Sequence, residues 1–234
     1  MPEGQIAIIV ALREEYKAVA AALQTSSLAQ GARFVVFQSG MGPAAAARTV
    51  EGLLASANPP RLICSSGFCG GLKDGIEVGA AILPGRVAGA DGKTAQEVVC
   101  AEAEAYAKKL AAAGLKFQRG TLLSTPAVIA RPEEKRALAE KHQAVVVDME
   151  SFAIAGAIRG RAEFFVLRVV SDSVVDELPA EVGSFLDEQG NLRLGQILRF
   201  ALRSPRNLKT LWQLKTRSAL AAKALTAAWK AVLE

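Results

Sequence analysis

The sequence predicts a single-domain α/β protein in which helices flank both faces of a central, mostly parallel, twisted sheet, giving three layers. Short apolar runs rich in β-branched residues alternate with helix-forming segments through the first 170 residues, a pattern typical of strands joined by crossover helices. The chain of 234 residues is 51% hydrophobic and 22% charged, which fits a packed core and excludes a disordered chain. One domain is expected, because α/β folds of this length often run undivided.

The individual elements follow from local patterns. Strands are predicted where apolar, β-branched residues follow one another, at residues 5–11, 33–38, 62–65, 78–83, 117–124, 145–147 and 164–170. Helices are predicted where helix formers extend between turn residues, at residues 13–23, 43–57, 96–113, 131–142 and 151–159. Pro43 and Pro132 suit first helical turns and Gly114 suits a helix end, so these three boundaries are the best defined.

The C-terminal segment differs from the rest of the chain in charge. The net charge is +5, but residues 193–234 hold nine Lys/Arg and one acid, which leaves residues 1–192 with a charge of −3. Leucine and tryptophan recur in this segment near helical spacing. We therefore predict a catalytic domain over residues 1–192 and a basic amphipathic helical extension over 193–234, packed on the same domain. The alternative is a surface helix that touches anionic lipid; no nucleic-acid motif supports a nucleic-acid partner.

Composition disfavours several classes of protein. Cys64, Cys69 and Cys100 have neither zinc-ligand spacing nor a disulfide pattern, so we expect free thiols in a reducing cytoplasm. The single histidine, His142, argues against His-based metal or triad chemistry, and neither a metal nor an organic cofactor is expected. The chain has no signal-peptide pattern and no run of about 18 apolar residues, which predicts a cytoplasmic protein with, at most, peripheral membrane contact.

Two acidic residues follow neighbouring predicted strands. Glu150 comes shortly after the run at 145–147, and Asp172 ends the run that begins at residue 164. In an open α/β sheet, ligand-binding and catalytic residues lie at the carboxyl ends of the strands, so the two carboxyl groups are candidates for one shared site. The alternative is that Asp172 caps a turn and Glu150 is a solvated acid at a helix start.

Two glycine clusters follow other strands. Residues 40–45 have the outline Gly-x-Gly-x-x-Ala of a dinucleotide fingerprint, but no acid ends the next strand to hold a ribose. This cluster therefore suits a phosphate at a helix N-terminus, or simply a tight turn. In the second cluster, residues 67–71, three glycines let the backbone come close to a ligand or to another segment of chain.

Taken in order, these pieces resemble the nucleoside phosphorylase/nucleosidase superfamily, especially its methylthioadenosine/adenosylhomocysteine nucleosidase branch. The matching residues are Ala11–Glu15, Ser39–Gly42, Gly67–Leu72, Asp148–Glu150 and Arg168–Asp172. The loop after Asp172 and the basic extension are similar to a branch linked to hopanoid biosynthesis, whose implied substrate is adenosylhopane. The resemblance implies the phosphorylase/hydrolase-like fold, a homodimer, and cleavage of the N-glycosidic bond of a 5′-substituted adenosine with water or phosphate.

The same resemblance implies roles for individual residues. Asp172 would be protonated and donate to the purine N7 as the general acid, which favours a carboxyl pKa raised by burial. Glu150 would accept hydrogen bonds from the ribose hydroxyls, and Glu15 would hold and deprotonate the attacking water. The other residues expected near substrate are Met149, Ser171, Gly67, Phe68, Val128 and Ile129, with Met41, Leu12 and Phe185 around the 5′ substituent.

Departures from the family pattern bear on the reaction. Phe68 stands where the nucleosidases carry a serine, and Ser65 stands where related phosphorylases place an arginine on phosphate. Arg13 could compensate, but a first-turn helix residue is expected to face solvent. Water is therefore favoured over phosphate, while a phosphorylase and a non-catalytic, membrane-docked nucleoside-binding protein stay as alternatives. Val128 and Ile129 replace an aromatic residue that often stacks on the base, which weakens the argument for base specificity.

Overall fold

The computed structural model describes residues 4–26, 34–90, 95–179, 181–187 and 189–234. Within these ranges ten strands form one sheet: β1 (Ile6–Val10), β2 (Phe34–Gln38), β3 (Leu62–Gly71), β4 (Ala81–Ile82), β5 (Arg86–Gly89), β6 (Ala95–Glu97), β7 (Phe117–Gln118), β8 (Thr121–Ser124), β9 (Ala144–Asp148) and β10 (Glu163–Asp172). The α-helices are α1 (Arg13–Thr25), α2 (Pro43–Leu54), α3 (Ala103–Ala112), α4 (Pro132–His142), α5 (Ser151–Ile158), α6 (Leu194–Ala201) and α7 (Pro205–Leu233). A 3₁₀ turn covers Val182–Phe185.

Strands β3 and β10 form the centre of the sheet. They run parallel for most of their length, and a register shift near the end of β10 places Asp172 opposite Gly70. The first half of β3 also pairs with β1 in parallel, and its last two residues pair with β9 in the antiparallel sense. Six of the nine strand pairings are parallel, so the predicted mostly parallel sheet is confirmed.

Helices cover both faces of this sheet, as predicted. Ile6, Ile8 and Val10 of β1 point into one apolar cluster with α1, α3 and α7, whereas Ala7 and Ile9 point into another with α2 and α5. Successive residues of a strand face opposite sides, so a strand buried on both faces reads as a continuous apolar run. This explains why β1 is visible in the sequence as an unbroken apolar stretch, and why β10 is apolar on both sides of Arg168.

Two of the predicted elements are wrong. The helix predicted over 96–113 begins only at Ala103, because residues 95–97 instead form β6 and pair with β5, a strand that the sequence pattern missed. The strand predicted over 117–124 is two strands, β7 and β8. They are separated at Gly120, whose φ is 149° and where a Cβ would lie 2.7 Å from Val145 Cγ2. Residue 33, the predicted start of β2, lies outside the described residues.

The C-terminal helix contributes to the core. Leu225, Trp229 and Leu233 of α7 are buried, and the Trp229 indole donates a 2.9 Å hydrogen bond to Ser66 Oγ in the centre of β3. Leu208 and Trp212, in the first half of the same helix, are exposed. The predicted division of the chain at residue 193 stays a prediction. None of the helices in the described part of the chain is both long and apolar enough to cross a membrane.

Candidate active site

The predicted site residues meet at one cleft, which lies where β1, β3, β9 and β10 end. Its volume is about 160 Å³, and Glu15, Glu150 and Asp172 all line it. Six further residues predicted near substrate line the same cleft: Met41, Phe68, Val128, Ile129, Met149 and Ser171. The parallel pairing of β1, β3 and β10 places their carboxyl ends at one edge of the sheet, and the antiparallel pairing of β9 with the end of β3 brings the end of β9 there as well.

Glu15 is held rigidly at the start of α1. One carboxylate oxygen accepts hydrogen bonds from the backbone N–H groups of Ala11 (2.9 Å) and Leu12 (2.8 Å), and the other accepts from Phe68 N–H (2.7 Å). Burial raises the pKa of Glu15, although the charge of Arg168 and these three hydrogen bonds act in the opposite direction. A fixed carboxylate with a raised pKa suits a base that takes a proton from water near neutral pH.

Gly67 explains how Glu15 comes to lie against β3. This glycine has a φ of 129°, and a Cβ on it would lie 2.5 Å from Glu15 Cδ. Only glycine therefore leaves space for the carboxylate, so the second glycine cluster admits another segment of chain at this position. Gly67 lies behind Glu15 and is not among the residues that line the cleft; substrate contact by Gly67 stays a prediction.

Glu150 lies at the N-terminus of α5. Its Oε1 accepts a 2.9 Å hydrogen bond from Gly42 N–H, and its Oε2 lies 3.8 Å from Arg168 Nη2. Burial, followed by the charge of Asp148, raises the pKa of Glu150 to about 7, because the more distant Arg168 compensates only in part. The first glycine cluster thus forms a tight turn, with a φ of 91° at Gly42, that presents its N–H to Glu150.

Asp172 ends β10 with both carboxylate oxygens engaged. Ser171 Oγ donates a 2.8 Å hydrogen bond to Oδ1, a contact that orients the carboxyl group. Lys135 Nζ donates to Oδ2 at 2.6 Å, and this lysine is wholly buried. Gly70 lies on the other side, since a Cβ there would be 3.1 Å from Oδ2. Lys135 could not be recognised from the sequence, because it lies in a helix rich in charged residues that resembles a solvent-exposed one.

A buried arginine supports the site from below, and sequence reasoning assigned it no role. Arg168 Nη2 lies 2.5 Å from Asp148 Oδ2 and donates to Ser65 Oγ (2.9 Å) and Ser151 Oγ (3.1 Å). A detectable signal existed, because a single arginine interrupts the apolar run of β10. Ser65, where phosphorylases would have their phosphate arginine, is fully buried beneath the cleft and bonded to this network.

The remaining wall of the cleft is apolar. Leu12 and Met41 line it, as predicted, together with Leu178 and Leu186 from the loop after β10. Phe185 does not line it, and that prediction is wrong: its ring packs on Phe200 with 5.2 Å between centroids. No lysine or arginine is among the described residues that line the cleft, and Arg13 is exposed to solvent as expected.

Comparisons with known proteins agree with this arrangement. The family model of the phosphorylase superfamily matches residues 5–201. No curated protein sequence matches the chain. Among solved structures, the chain is similar to futalosine hydrolase of Helicobacter pylori, with a TM-score of 0.70, 15% identity, and coverage of 96% of this chain and 97% of that one.

Two nucleosidase structures show the same likeness. For 5′-methylthioadenosine/S-adenosylhomocysteine nucleosidase from Helicobacter pylori the TM-score is 0.72 at 15% identity, covering 97% of this chain and 98% of the other. For the nucleosidase of the same name from Neisseria meningitidis it is 0.69 at 20% identity, covering 97% and 99%. These likenesses show a common fold, and the family match extends over most of the chain. The protein is therefore an enzyme of the phosphorylase superfamily, as its ordered motifs predicted.

Proposed function

We propose that the protein hydrolyses the N-glycosidic bond of a 5′-substituted adenosine and releases adenine. The observation that carries this proposal is the placement of three buried carboxyl groups around one cleft, each held by different partners. Glu15 is bound by three backbone N–H groups, Glu150 by Gly42 and the Arg168 charge, and Asp172 by Ser171 and Lys135. Three carboxyl groups in three environments can take three separate roles in one reaction.

The roles follow from the demands of the bond. Breaking it leaves positive charge on the sugar and negative charge on the purine, so the sugar needs a stabilising anion and the base needs a proton. Asp172 transfers a proton to purine N7 as the C1′–N9 bond breaks and its electron pair stays on the purine. Glu150 accepts hydrogen bonds from the ribose hydroxyls, and Glu15 removes a proton from the water that adds to C1′. The atoms balance: nucleoside and water give adenine and the free sugar.

Water is the preferred nucleophile because the cleft offers little to a phosphate. Its described lining contains no lysine or arginine, and the position at which phosphorylases would have their phosphate arginine is Ser65, which is buried outside the lining. Adenine release assayed in phosphate-free buffer and again with phosphate separates the two reactions. We expect equal rates; strict dependence on phosphate would support the phosphorylase alternative instead.

The apolar wall supports a substrate with an apolar 5′ substituent. Such a group would contact apolar side chains that neither donate nor accept hydrogen bonds: Leu12, Met41, Leu178 and Leu186. Methylthioadenosine, adenosylhomocysteine and adenosylhopane form a suitable panel, with unsubstituted adenosine as the control for the 5′ contact. A rate on adenosine equal to that on all three substituted nucleosides would contradict this part of the proposal. An Asp172→Asn variant that releases adenine as fast as the wild type would contradict the role of Asp172 as the general acid.

A second proposal concerns the surface of α6, which we expect to touch an anionic membrane. Leu194, Leu198 and Leu202 follow at intervals of four residues and are exposed by 72%, 59% and 78%. Residues 193–217 contain seven lysines and arginines and no acid. A two-fold dimer interface meets itself, so this basic face would repel a second copy, whereas anionic lipid headgroups compensate its charge.

Co-sedimentation with vesicles tests the membrane contact. We expect the protein to bind vesicles that contain an anionic phospholipid and to lose binding when Leu194, Leu198 and Leu202 are changed to serine. A Val99→Ser variant, exposed by 65% far from α6 in sequence, is the matched control and should bind like the wild type. Equal binding by all three proteins, or equal binding to vesicles of phosphatidylcholine alone, would overturn the proposal. Truncation before residue 193 is unsuitable because it removes Trp229 from the core.

The oligomeric state is part of the proposal as well. The resemblance to nucleosidases supports a homodimer in which a second copy completes the 5′ end of the cleft, through a face other than that of α6. Sedimentation equilibrium that gives the monomer mass of 24.6 kDa at all concentrations would contradict it.

A further inference from the structure

Lys135 is a wholly buried cation that the reaction described above does not use. It lies on α4, and its ammonium group makes three hydrogen bonds: to Asp172 Oδ2 (2.6 Å), to Ser173 O (2.8 Å) and to Asp176 O (3.0 Å). An ammonium has three N–H donors, and here each has an oxygen acceptor. A buried charge is tolerated when it is paired and fully hydrogen-bonded, and Lys135 satisfies both conditions.

The contact is directed at the oxygen that Ser171 leaves free. Ser171 Oγ holds Oδ1 and Lys135 holds Oδ2, so the carboxyl group of Asp172 cannot rotate without breaking one of the two bonds. Gly70, with its missing side chain against Oδ2, keeps the space beside that oxygen open. The ammonium therefore fixes the plane in which Asp172 faces the cleft.

Lys135 also connects Asp172 to the loop that follows β10. Two of its bonds go to backbone carbonyls of that loop. The carboxylate of Asp176 accepts from Ser173 N–H and pairs with Arg217 of α7 at 2.5 Å. The same loop supplies Leu178 to the cleft wall. Lys135 is thus the point at which the candidate acid and part of the apolar wall are held together.

We propose that Lys135 is a positioning residue for the general acid: it orients Asp172 and balances the negative charge that develops there as the purine takes the proton. This inference rests on the proposed function. When Asp172 gives up its proton, a carboxylate forms in a site where water is scarce. A cation 2.6 Å away stabilises that product and so lowers the barrier to proton transfer.

Two further charged groups lie close to the pair of Lys135 and Asp172: Asp176 from the loop and, beyond it, Arg217 from α7. The buried thiol of Cys69 also lies near Asp172, and burial raises its pKa well above the ordinary value, so it stays neutral.

The decisive variants are Lys135→Gln and Lys135→Arg. Glutamine can still donate to Asp172 but carries no charge, whereas arginine keeps the charge on a different geometry. We expect Lys135→Gln to lower kcat by about tenfold or more with little change in KM, because the lost charge acts on the transition state. Lys135→Arg keeps the charge and should retain more of the wild-type kcat than Lys135→Gln does. Lys141→Gln, exposed on the same helix, is the matched control and should keep the wild-type kcat.

A double-variant cycle keeps the test valid if Lys135→Gln folds poorly. Removing one partner of a buried pair leaves a charge without compensation, whereas Lys135→Met combined with Asp172→Asn removes both. If Lys135 acts through Asp172, Lys135→Met should lower kcat no further in the Asp172→Asn background. If the losses of the two changes multiply independently, or if Lys135→Gln keeps the wild-type kcat, the inference is overturned while the proposed function stays intact. Absence of adenine release by the wild type on every nucleoside would overturn both.

Discussion

At the scale of single residues, the site depends on how differently three carboxyl groups are buried. Glu15 is encircled by backbone donors, Asp172 faces a lysine, and Glu150 has one backbone donor and a distant arginine. Burial raises the pKa of Glu150 to about 7. Buried groups that weaken the fold are characteristic of functional sites, where stability is exchanged for activity.

This burial predicts that Glu150→Gln stabilises the protein at neutral and higher pH. The folded state keeps a proton on Glu150 up to about pH 7, whereas the unfolded chain releases it near its ordinary value of 4.5. Between these values the folded state binds more protons, so stability falls as pH rises and is lowest above about pH 7. We expect the variant to gain about 1–3 kcal/mol at pH 8 and little at pH 4. Urea unfolding at both pH values measures this; an equal difference at both would contradict it.

Activity should depend on pH in the opposite direction to stability, through the same carboxyl group of Glu150. The anionic form of Glu150 accepts hydrogen bonds from two ribose hydroxyls, whereas the protonated form is a poorer acceptor. We therefore expect the wild-type KM for nucleoside to rise as the pH falls below about 7. In Glu150→Gln the KM should be high at every pH. A wild-type KM constant from pH 5 to pH 8 would refute the role of Glu150 as the ribose ligand.

Gly67 provides a test of the position of Glu15. An alanine there would place its Cβ 2.5 Å from the carboxylate, so Gly67→Ala should displace Glu15 and lower kcat by about 100-fold. Gly75→Ala is the matched control, because Gly75 also has a positive φ, +82°, but nothing lies within 4 Å of its Cβ position. Both variants lose about 1 kcal/mol to backbone strain, and only the first should lose activity. Equal kcat values for the two would argue against Glu15 as the base.

At the scale of elements, the sequence pattern predicts a helix or strand well where the apolar residues of that element alone determine its burial. β1 and the first part of β10 are apolar runs, and the acids that follow two of the predicted strands, Glu150 and Asp172, line the cleft. β6 was missed because its strand state depends on pairing with β5 and overrides local helix preference. Lys135 and Arg168 could not be assigned roles because their partners lie elsewhere in the chain, Asp172 being 37 residues beyond Lys135.

The last helix supplies a prediction at this scale. Trp229 of α7 is buried and its indole N–H bonds Ser66, so Trp229→Phe removes a hydrogen bond and leaves a cavity. We expect a loss of about 2 kcal/mol in the free energy of unfolding. Trp212→Phe on the same helix, where the side chain is 67% exposed, should change it by less than about 0.5 kcal/mol. Similar losses for both would show that the second half of α7 is not part of the core.

At the scale of the whole molecule, the candidate catalytic residues lie at one edge of the sheet, and the basic face of α6 with its exposed leucines lies on the surface. The two are adjacent in the chain, since Leu186 lines the cleft while Phe185 packs on Phe200 of α6. A membrane-bound α6 would therefore hold the apolar side of the cleft close to lipid. The family and the fold were predictable because five family motifs occur in the expected order along the chain. The 5′ substituent was not, because Leu178 and Leu186, which we propose to contact it, lie in a loop that has no recognisable motif.

The attacking nucleophile is the most direct test of the whole account. The protein is incubated with a 5′-substituted adenosine in H₂¹⁸O that also contains phosphate, and the masses of the products are measured by mass spectrometry. We predict free adenine without label and a free sugar that carries one ¹⁸O atom at C1′. A ribose 1-phosphate without ¹⁸O, or an unchanged nucleoside, would contradict hydrolysis at this site.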